Sequence, residues 1–337
     1  MPKTYTICVL AGDGIGPEVT GSARKVLDAL SRKGGPSLVF KEHSAGCDEF
    51  ERSGESFSAA TLEAAKAADA VLVGAFDVAR LPEHAVQPLH ALRHEFDVHA
   101  SVRPSRTWAG LDARHGEIDV VVVREVTEGI YSGIEYRAGP DAACAVRVIT
   151  RQASSRTAEI AFRQASARRR KVSAVHKLGA LKLTDGLFIE SCREVAKRYP
   201  DVTFETRNID ACALEMIRHP QDFDVILATN TFGDILSDVA AGVAGGLGLA
   251  PSSCIGARWA YFEPVHGTAP DIAGKGIANP LATILSTAMM LRHIGEPAAA
   301  DTIDQAVGAV LVKGPRTGDL GGKAGSAEVT EAVIAAL

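Results

Sequence analysis

The chain has 337 residues, of which 46% are hydrophobic and 23% charged, with a formal net charge of −5. That is enough for two lobes of an ordinary globular protein, while an acidic balance and only 5% aromatic residues exclude the electrostatic and stacking footprint of a nucleic-acid binder. No run approaches the ~18 apolar residues of a membrane span, and "MPKTYTICVL" carries no long apolar leader, so no membrane partner and a cytoplasmic location are expected.

In chain order, "TYTICVLAG" reads as a strand and "PEVTGSARKVLDALSR" as a helix with Pro17 in its first turn. "SLVFKEH" is a strand, "SAATLEAAKAA" a helix capped by Ser58 or a neighbour, and "DAVLVGAF" a strand again. This βαβαβ rhythm predicts a parallel sheet covered by helices on both faces. "IDVVVVRE" and "KVSAVHK" are further buried strands. Residues 131–150 read as two extended segments around Gly139-Pro140-Asp141, a projecting hairpin. "SSRTAEIAFRQASARRRK" reads as a helix with a Ser cap, its basic run 168–171 complementing the C-terminal dipole. The six cysteines form no C-x-x-C pair and read as reduced thiols.

The glycines of "VLAGDGIGPEV" pose a specific question. A dinucleotide fingerprint needs G-x-G-x-x-G and an acid about 20 residues on. Here Pro17 takes the third glycine's place, Arg32 and Lys33 stand where the acid belongs, and Glu42 comes too late. A tight turn beside a cleft is the better reading.

The strongest chemical signal is "ATNTFGDILSDVAAG". Asp234 and Asp238 are four apart and share one helix face, with no basic residue three or four positions away. Asp234 could be a first-turn acid at the helix N-terminus; a hard cation such as Mg²⁺ or Mn²⁺, which removes the repulsion, is favoured. Lys177 ends a buried strand, where it is either a base lowered by partial burial or the partner of an aspartate. Arg124 ends a run of valines, and with Arg93 and Arg103 it offers guanidinium forks suited to carboxylates. Any one of the three alone reads as a surface ion pair. "EPVHGTAPDIAGKGIANP", residues 263–280, is a long ordered loop whose backbone N–H groups near Gly267, Thr268 and Ala269 could meet phosphates, with Asp271 placed for ribose hydroxyls.

Together these stretches, with "LRHEFDVHASVRP", "VREVTEGIYSG", "NIDACAL" and "GPRTGDLGG", resemble the β-decarboxylating dehydrogenases of 3-isopropylmalate, isocitrate, homoisocitrate, tartrate and D-malate. The resemblance covers nearly the whole chain. It implies an α/β fold of two lobes, with parallel-rich sheets flanked by helices and no Rossmann fingerprint: residues 1–98 and 247–337 in the larger, 99–246 in the smaller, and 131–150 as an arm in a homodimer. It assigns cofactor contacts to Glu263, His266, Gly267, Thr268, Ala269, Asp271 and Asn279. NAD is favoured, since the Asp271 carboxylate repels a 2′-phosphate. It gives Mg²⁺ or Mn²⁺ to Asp234, Asp238 and Asp210 (the last from the partner subunit). Substrate carboxylates fall to Arg93, Arg103 and Arg124. Lys177, also reaching across the dimer, would assist deprotonation at C2, and Tyr131 would protonate C3.

The departures concern the third substituent. Gln87 and Leu89 replace the Ser and Asn of isocitrate users, and Leu89 fits an apolar pocket. Val126 stands where many isocitrate relatives have Asn, yet the Glu common near Val86 in isopropylmalate enzymes is missing. His90 lies where homoisocitrate enzymes can carry Arg; it reads as a weak anion contact or a surface histidine. Gly179 replaces an active-site Asn. The expected substrate is 3-isopropylmalate or a close analogue, then homoisocitrate or isocitrate, then tartrate or D-malate. A non-catalytic regulatory subunit is the alternative of a different class.

Overall fold

A computed structural model describes residues 3–112 and 115–337. The chain clusters into two units, Met1–Asp97 with Trp108–Asp112 and Gly245–Leu337, and Val98–Thr107 with Ala113–Ala244. Trp108–Asp112, expected in the smaller lobe, clusters with the larger unit because the Trp108 ring joins that unit's apolar core.

The larger unit begins with β1 (Thr4–Gly12), α1 (Gly16–Arg32), β2 (Ser37–Glu42), α2 (Cys47–Ser53), α3 (Ala59–Ala67), β3 (Ala70–Ala75) and α4 (Pro88–Glu95). The smaller unit holds β4 (Val98–Arg106), β5 (Asp119–Arg124), β6 (Glu135–Arg137), β7 (Ala143–Ala145), α5 (Arg151–Ser166), β8 (Lys171–His176), α6 (Thr184–Ala196), β9 (Thr203–Asn208), α7 (Ile209–Arg218), β10 (Val225–Ala228) and α8 (Asn230–Ala244). The chain then returns with β11 (Pro251–Gly256), β12 (Ala260–Pro264), α9 (Leu281–His293), α10 (Pro297–Lys313) and α11 (Ser326–Ala336).

In the larger unit the strand order is β2-β1-β3-β12-β11, parallel except for the β11–β12 pair. Ala23, Val26 and Leu30 repeat at helical spacing along α1 and bury one face in the core that β1 and β3 line, while Val19 packs with Ile15 and Ala278. Ser58 caps α3, accepting from Thr61 N. In the smaller unit the order is β4-β5-β10-β8-β9, with only β4–β5 antiparallel. Val120–Val123 are all buried, as expected of a strand covered on both faces. The hairpin over 131–150 is present as β6 and β7, turned by an Ala138 N to Ala142 O bond of 2.8 Å.

The glycine-rich turn is a packing device. Gly14 has φ +59°, and a Cβ there would lie 2.3 Å from the Thr268 carbonyl oxygen. This approach lets Ile15 N bond Thr268 O at 2.9 Å, tying the turn to the 263–280 loop. Asp13, fully buried, accepts from the backbone N of Cys47, Asp48 and Asp77.

Two local expectations are corrected. The cap of α5 is Thr150, which accepts from Ala153 N; Ser154 lies inside the first turn and bonds back to Thr150 O. The basic run does not serve a helix dipole, since α5 ends at Ser166. Arg168 pairs with buried Asp224 at 2.8 Å and Asp119 at 2.9 Å, and Lys171 pairs with Glu205. All six cysteines are free. Among the described residues no helix is long and apolar enough to cross a membrane.

Candidate active site

The smaller unit gathers most of the candidate chemistry. Strands β4 and β5 present Arg103 and Arg124 to α8, both almost fully buried. Arg103 Nη1 donates to Asp234 at 3.1 Å and to Ser237 Oγ at 2.8 Å. Arg124 pairs with the same Asp234 oxygen and also donates to Asn230 Oδ1 through Nε and Nη2. The close approach of α8 to β5 depends on Gly233, where a Cβ would lie 2.8 Å from the Arg124 side chain. The Arg124 guanidinium sits over the Tyr131 ring, 5.5 Å from its centroid.

These contacts revise the reading of Asp234. Because α8 starts at Asn230, Asp234 lies beyond the first turn and is not a terminal acid. Its charge is met by two arginines from neighbouring strands, and neither arginine is a surface ion pair. Asp238, one turn on, has no such partner among the described residues. Although Asp238 is exposed, protein atoms around it displace enough water to raise its carboxyl pKa; the Asp234 charge adds to the rise, and Arg103 and Arg124 oppose it.

A second cluster lies at the end of β8. Lys177 forms an ion pair with Asp210, at the start of α7. Its backbone N donates to Asp185 at 2.6 Å, and Asp185, fully buried, pairs with Arg147 at 2.7 Å. Asp185 and Arg147 thus fix the strand end that carries Lys177. Sequence reasoning passed over both, and over Asn230 and Ser237, because an acid opening a helix and a polar residue inside one are ordinary. Among the described residues no three His, Cys, Asp or Glu side chains converge into a metal cage. Within one chain Asp210 stays with Lys177, while Asp234 stays with its arginines.

In the larger unit, α4 carries Leu89, partly exposed, and Arg93, buried. Arg93 Nε donates to Tyr261 Oη at 3.1 Å. Burial opposes its charge, but Tyr261, Glu263 and Cys254 more than offset that, so the guanidinium stays cationic.

The loop after β12 borders a recess of ≈ 490 Å³ lined by Ile15, His266, Ile272, Ile277, Asn279 and Asp319, among others. His266 Nδ1 donates to Gly267 O at 3.0 Å, leaving Nε2 as a buried acceptor with no hydrogen-bond partner among the described residues. Burial lowers the His266 pKa, which keeps the ring neutral. Asn279 donates to Asp319 at 2.9 Å. Of the other expected cofactor residues, Gly267, Thr268, Ala269 and Asp271 do not line this recess. Thr268 holds the glycine turn, Ala269 adopts φ +40°, and Asp271 is exposed. Glu263 is 5% exposed and accepts from Cys254 Sγ at 3.5 Å, inside the strand layer. Asp319 lies within "GPRTGDLGG" and Lys323 directly follows it, although neither is singled out by the sequence.

The family model described as isocitrate/isopropylmalate dehydrogenase matches residues 6–333. The isocitrate/homoisocitrate dehydrogenase of Thermus thermophilus is 48% identical over 338 residues, covering 99% of this chain and 98% of the relative. The 3-isopropylmalate/3-methylmalate dehydrogenase of Methanocaldococcus jannaschii is 45% identical, covering 98% of each. The crystal structure of isocitrate dehydrogenase from Methylococcus capsulatus is similar with a TM-score of 0.93 and 43% identity, covering 98% of this chain and 99% of that one.

Proposed function

This chain belongs to the isocitrate/isopropylmalate dehydrogenase family, and from that premise we propose an NAD-dependent, divalent-metal-dependent oxidative decarboxylase of a 3-carboxylated, malate-type 2-hydroxy acid. The family consists of decarboxylating dehydrogenases, so the chain is an oxidoreductase. The substrate in this reading is 3-isopropylmalate or a close analogue. The observation that carries the proposal is the meeting of two buried guanidiniums, Arg103 and Arg124, on Asp234, one turn from an under-compensated Asp238.

The residues present fit both a divalent ion and a dinucleotide. Asp234 and Asp238 are like charges on one helix face, a repulsion that Mg²⁺ or Mn²⁺ would cancel. The unpartnered His266 Nε2 beside an apolar recess suits a nucleotide. When bound, the dinucleotide would accept hydride from C2, and the divalent ion would polarise the C2 oxygen and favour loss of the 3-carboxylate. Were a divalent ion to engage Asp234, the forks of Arg103 and Arg124 would be freed to take substrate carboxylates. Lys177, with Asp210, handles the proton leaving the C2 hydroxyl. Tyr131 returns a proton to C3 once CO₂ has gone. Asp210 and Lys177 serve the Asp234–Asp238 pair of a second copy in a homodimer. Exposed Leu214 and Ile217 on α7, Ile235 on α8, and Ile134 and Tyr136 on the hairpin offer apolar surface for it. The free cysteines fit a reducing, cytoplasmic setting.

A panel of 3-substituted malates, assayed with Mn²⁺ and each dinucleotide, tests the proposal. NADH formation with at least one acid is expected, faster than with NADP, and lost in Lys177→Ala. Failure to turn over any acid would leave the regulatory-subunit reading. The 48% identity to an isocitrate/homoisocitrate dehydrogenase favours homoisocitrate or isocitrate as the second choice of substrate, and the same panel decides it.

A further inference from the structure

On α4, His90 and His94 are four residues apart and both exposed, while Pro88, Leu92 and Arg93 bury the opposite side of the helix. That spacing stacks the two side chains on one face, and the buried side keeps the helix from rolling. Their Nε2 atoms are hydrogen-bonded to each other at 3.0 Å, one ring donating and the other accepting, with ring centroids 4.3 Å apart and planes crossing at 70°.

We propose that His90 and His94 form a chelating site for a divalent transition-metal ion, distinct in chemistry from a carboxylate site for Mg²⁺ or Mn²⁺. With metal–nitrogen bonds of about 2.0–2.1 Å, a 3.0 Å gap subtends an angle of about 94° at the ion. This is close to the right angle of square-planar and octahedral coordination, the preference of Cu²⁺ and Ni²⁺. A tetrahedral Zn²⁺ would need the nitrogens to open by about 0.3 Å. Imidazole nitrogens select these borderline ions over hard Mg²⁺, which keeps to oxygen ligands. The two nitrogens already lie within chelating distance, so a small turn of the rings, with release of the proton they share, brings both lone pairs onto one ion, and water completes the coordination. Across the series Cu²⁺ binds tightest.

The test is titration of the full-length protein with Cu²⁺, and separately with Ni²⁺, under excess Mg²⁺ so that carboxylate sites are already served. Calorimetry gives the affinity, and Cu²⁺ electron paramagnetic resonance counts the nitrogen ligands. The expected result is a first equivalent with two coordinated nitrogens, weakened about tenfold or more by either His90→Ala or His94→Ala, as loss of a chelate partner requires. His90→Gln and His94→Gln repeat the measurement should an alanine variant fail to fold. An unchanged affinity and spectrum in the double variant overturns the site, as does a first equivalent showing one nitrogen or none. Neither readout involves substrate turnover, so the outcome is independent of the proposed reaction.

Discussion

At the scale of single residues, Asp238 and Gly179 offer the sharpest tests. Folding raises the Asp238 carboxyl above its ordinary 3.8, chiefly by partial loss of solvent around it, with Arg103 opposing the rise and the charge of Asp234 adding to it. A raised carboxyl holds its proton more firmly in the folded chain. Its contribution is therefore full below about pH 3.8 and is lost as pH rises through the folded value. Asp238→Asn is expected to melt at a higher temperature than wild type at pH 7 without metal, and the gap should close as the solution is acidified. Added Mn²⁺ should raise the melting temperature of wild type but not of the variant; equal shifts in both would remove Asp238 from the metal. At Gly179 a Cβ would meet nothing within 4 Å. Gly179→Asn should keep stability within about 0.5 kcal/mol by urea denaturation and shift the ranking of substrates in the panel. A loss of several kcal/mol would contradict the open space. The chemistry of these residues was legible in the sequence. The partners were not: Arg103 and Arg124 precede Asp234 by 131 and 110 positions, and no local spacing rule spans such a gap.

At the scale of elements, periodicity picks out β1, α1, β2, α3, β3, β5, α5 and β8, while the ends of these elements depend on contacts from elsewhere. Thr150 shows this well. A Ser inside the helical pattern looked like the cap, yet Thr150 accepts from Ala153 N and also donates to Glu128, a residue 22 positions earlier. Thr150→Ala should cost about 1 kcal/mol in chemical denaturation, whereas Ser155→Ala, one residue past the true first turn's bonded Ser154, should be nearly silent. The glycine turn makes the same point for function. Gly14→Ala forces a left-handed backbone on a Cβ and drives it against Thr268 O. The expected cost is about 1–3 kcal/mol, with a raised KM for the dinucleotide, because the turn and the 263–280 loop share the Ile15–Thr268 bond. An unaltered KM would separate the loop from the cofactor.

At the scale of the whole molecule, the proposal needs two copies. One chain holds Lys177 with Asp210, and Asp234 with its arginines, and no three-carboxylate group forms among the described residues. If Lys177 and Asp210 of one subunit serve the Asp234–Asp238 pair of another, two inactive variants should complement. Unfolding and refolding Lys177→Ala together with Asp238→Asn in equal amounts would give half hybrid dimers, each with one intact site. Activity should return to about a quarter of wild type. No recovery, despite hybrid dimers seen by mass spectrometry, would place each site within a single chain.

The amino-acid sequence by itself determined the alternation of strand and helix, the buried valine strand, the hairpin, and the chemical oddity of Arg124, Lys177, Asp234 and Asp238. All of these depend on neighbours within a few positions, which periodicity and charge spacing report directly. Tertiary structure alone decided which charges meet. It set Arg103 and Arg124 on Asp234, Asp185 under Lys177, and Thr268 against the glycine turn, since burial in a low-dielectric interior makes each charge or polar group find a partner wherever the fold brings one within reach.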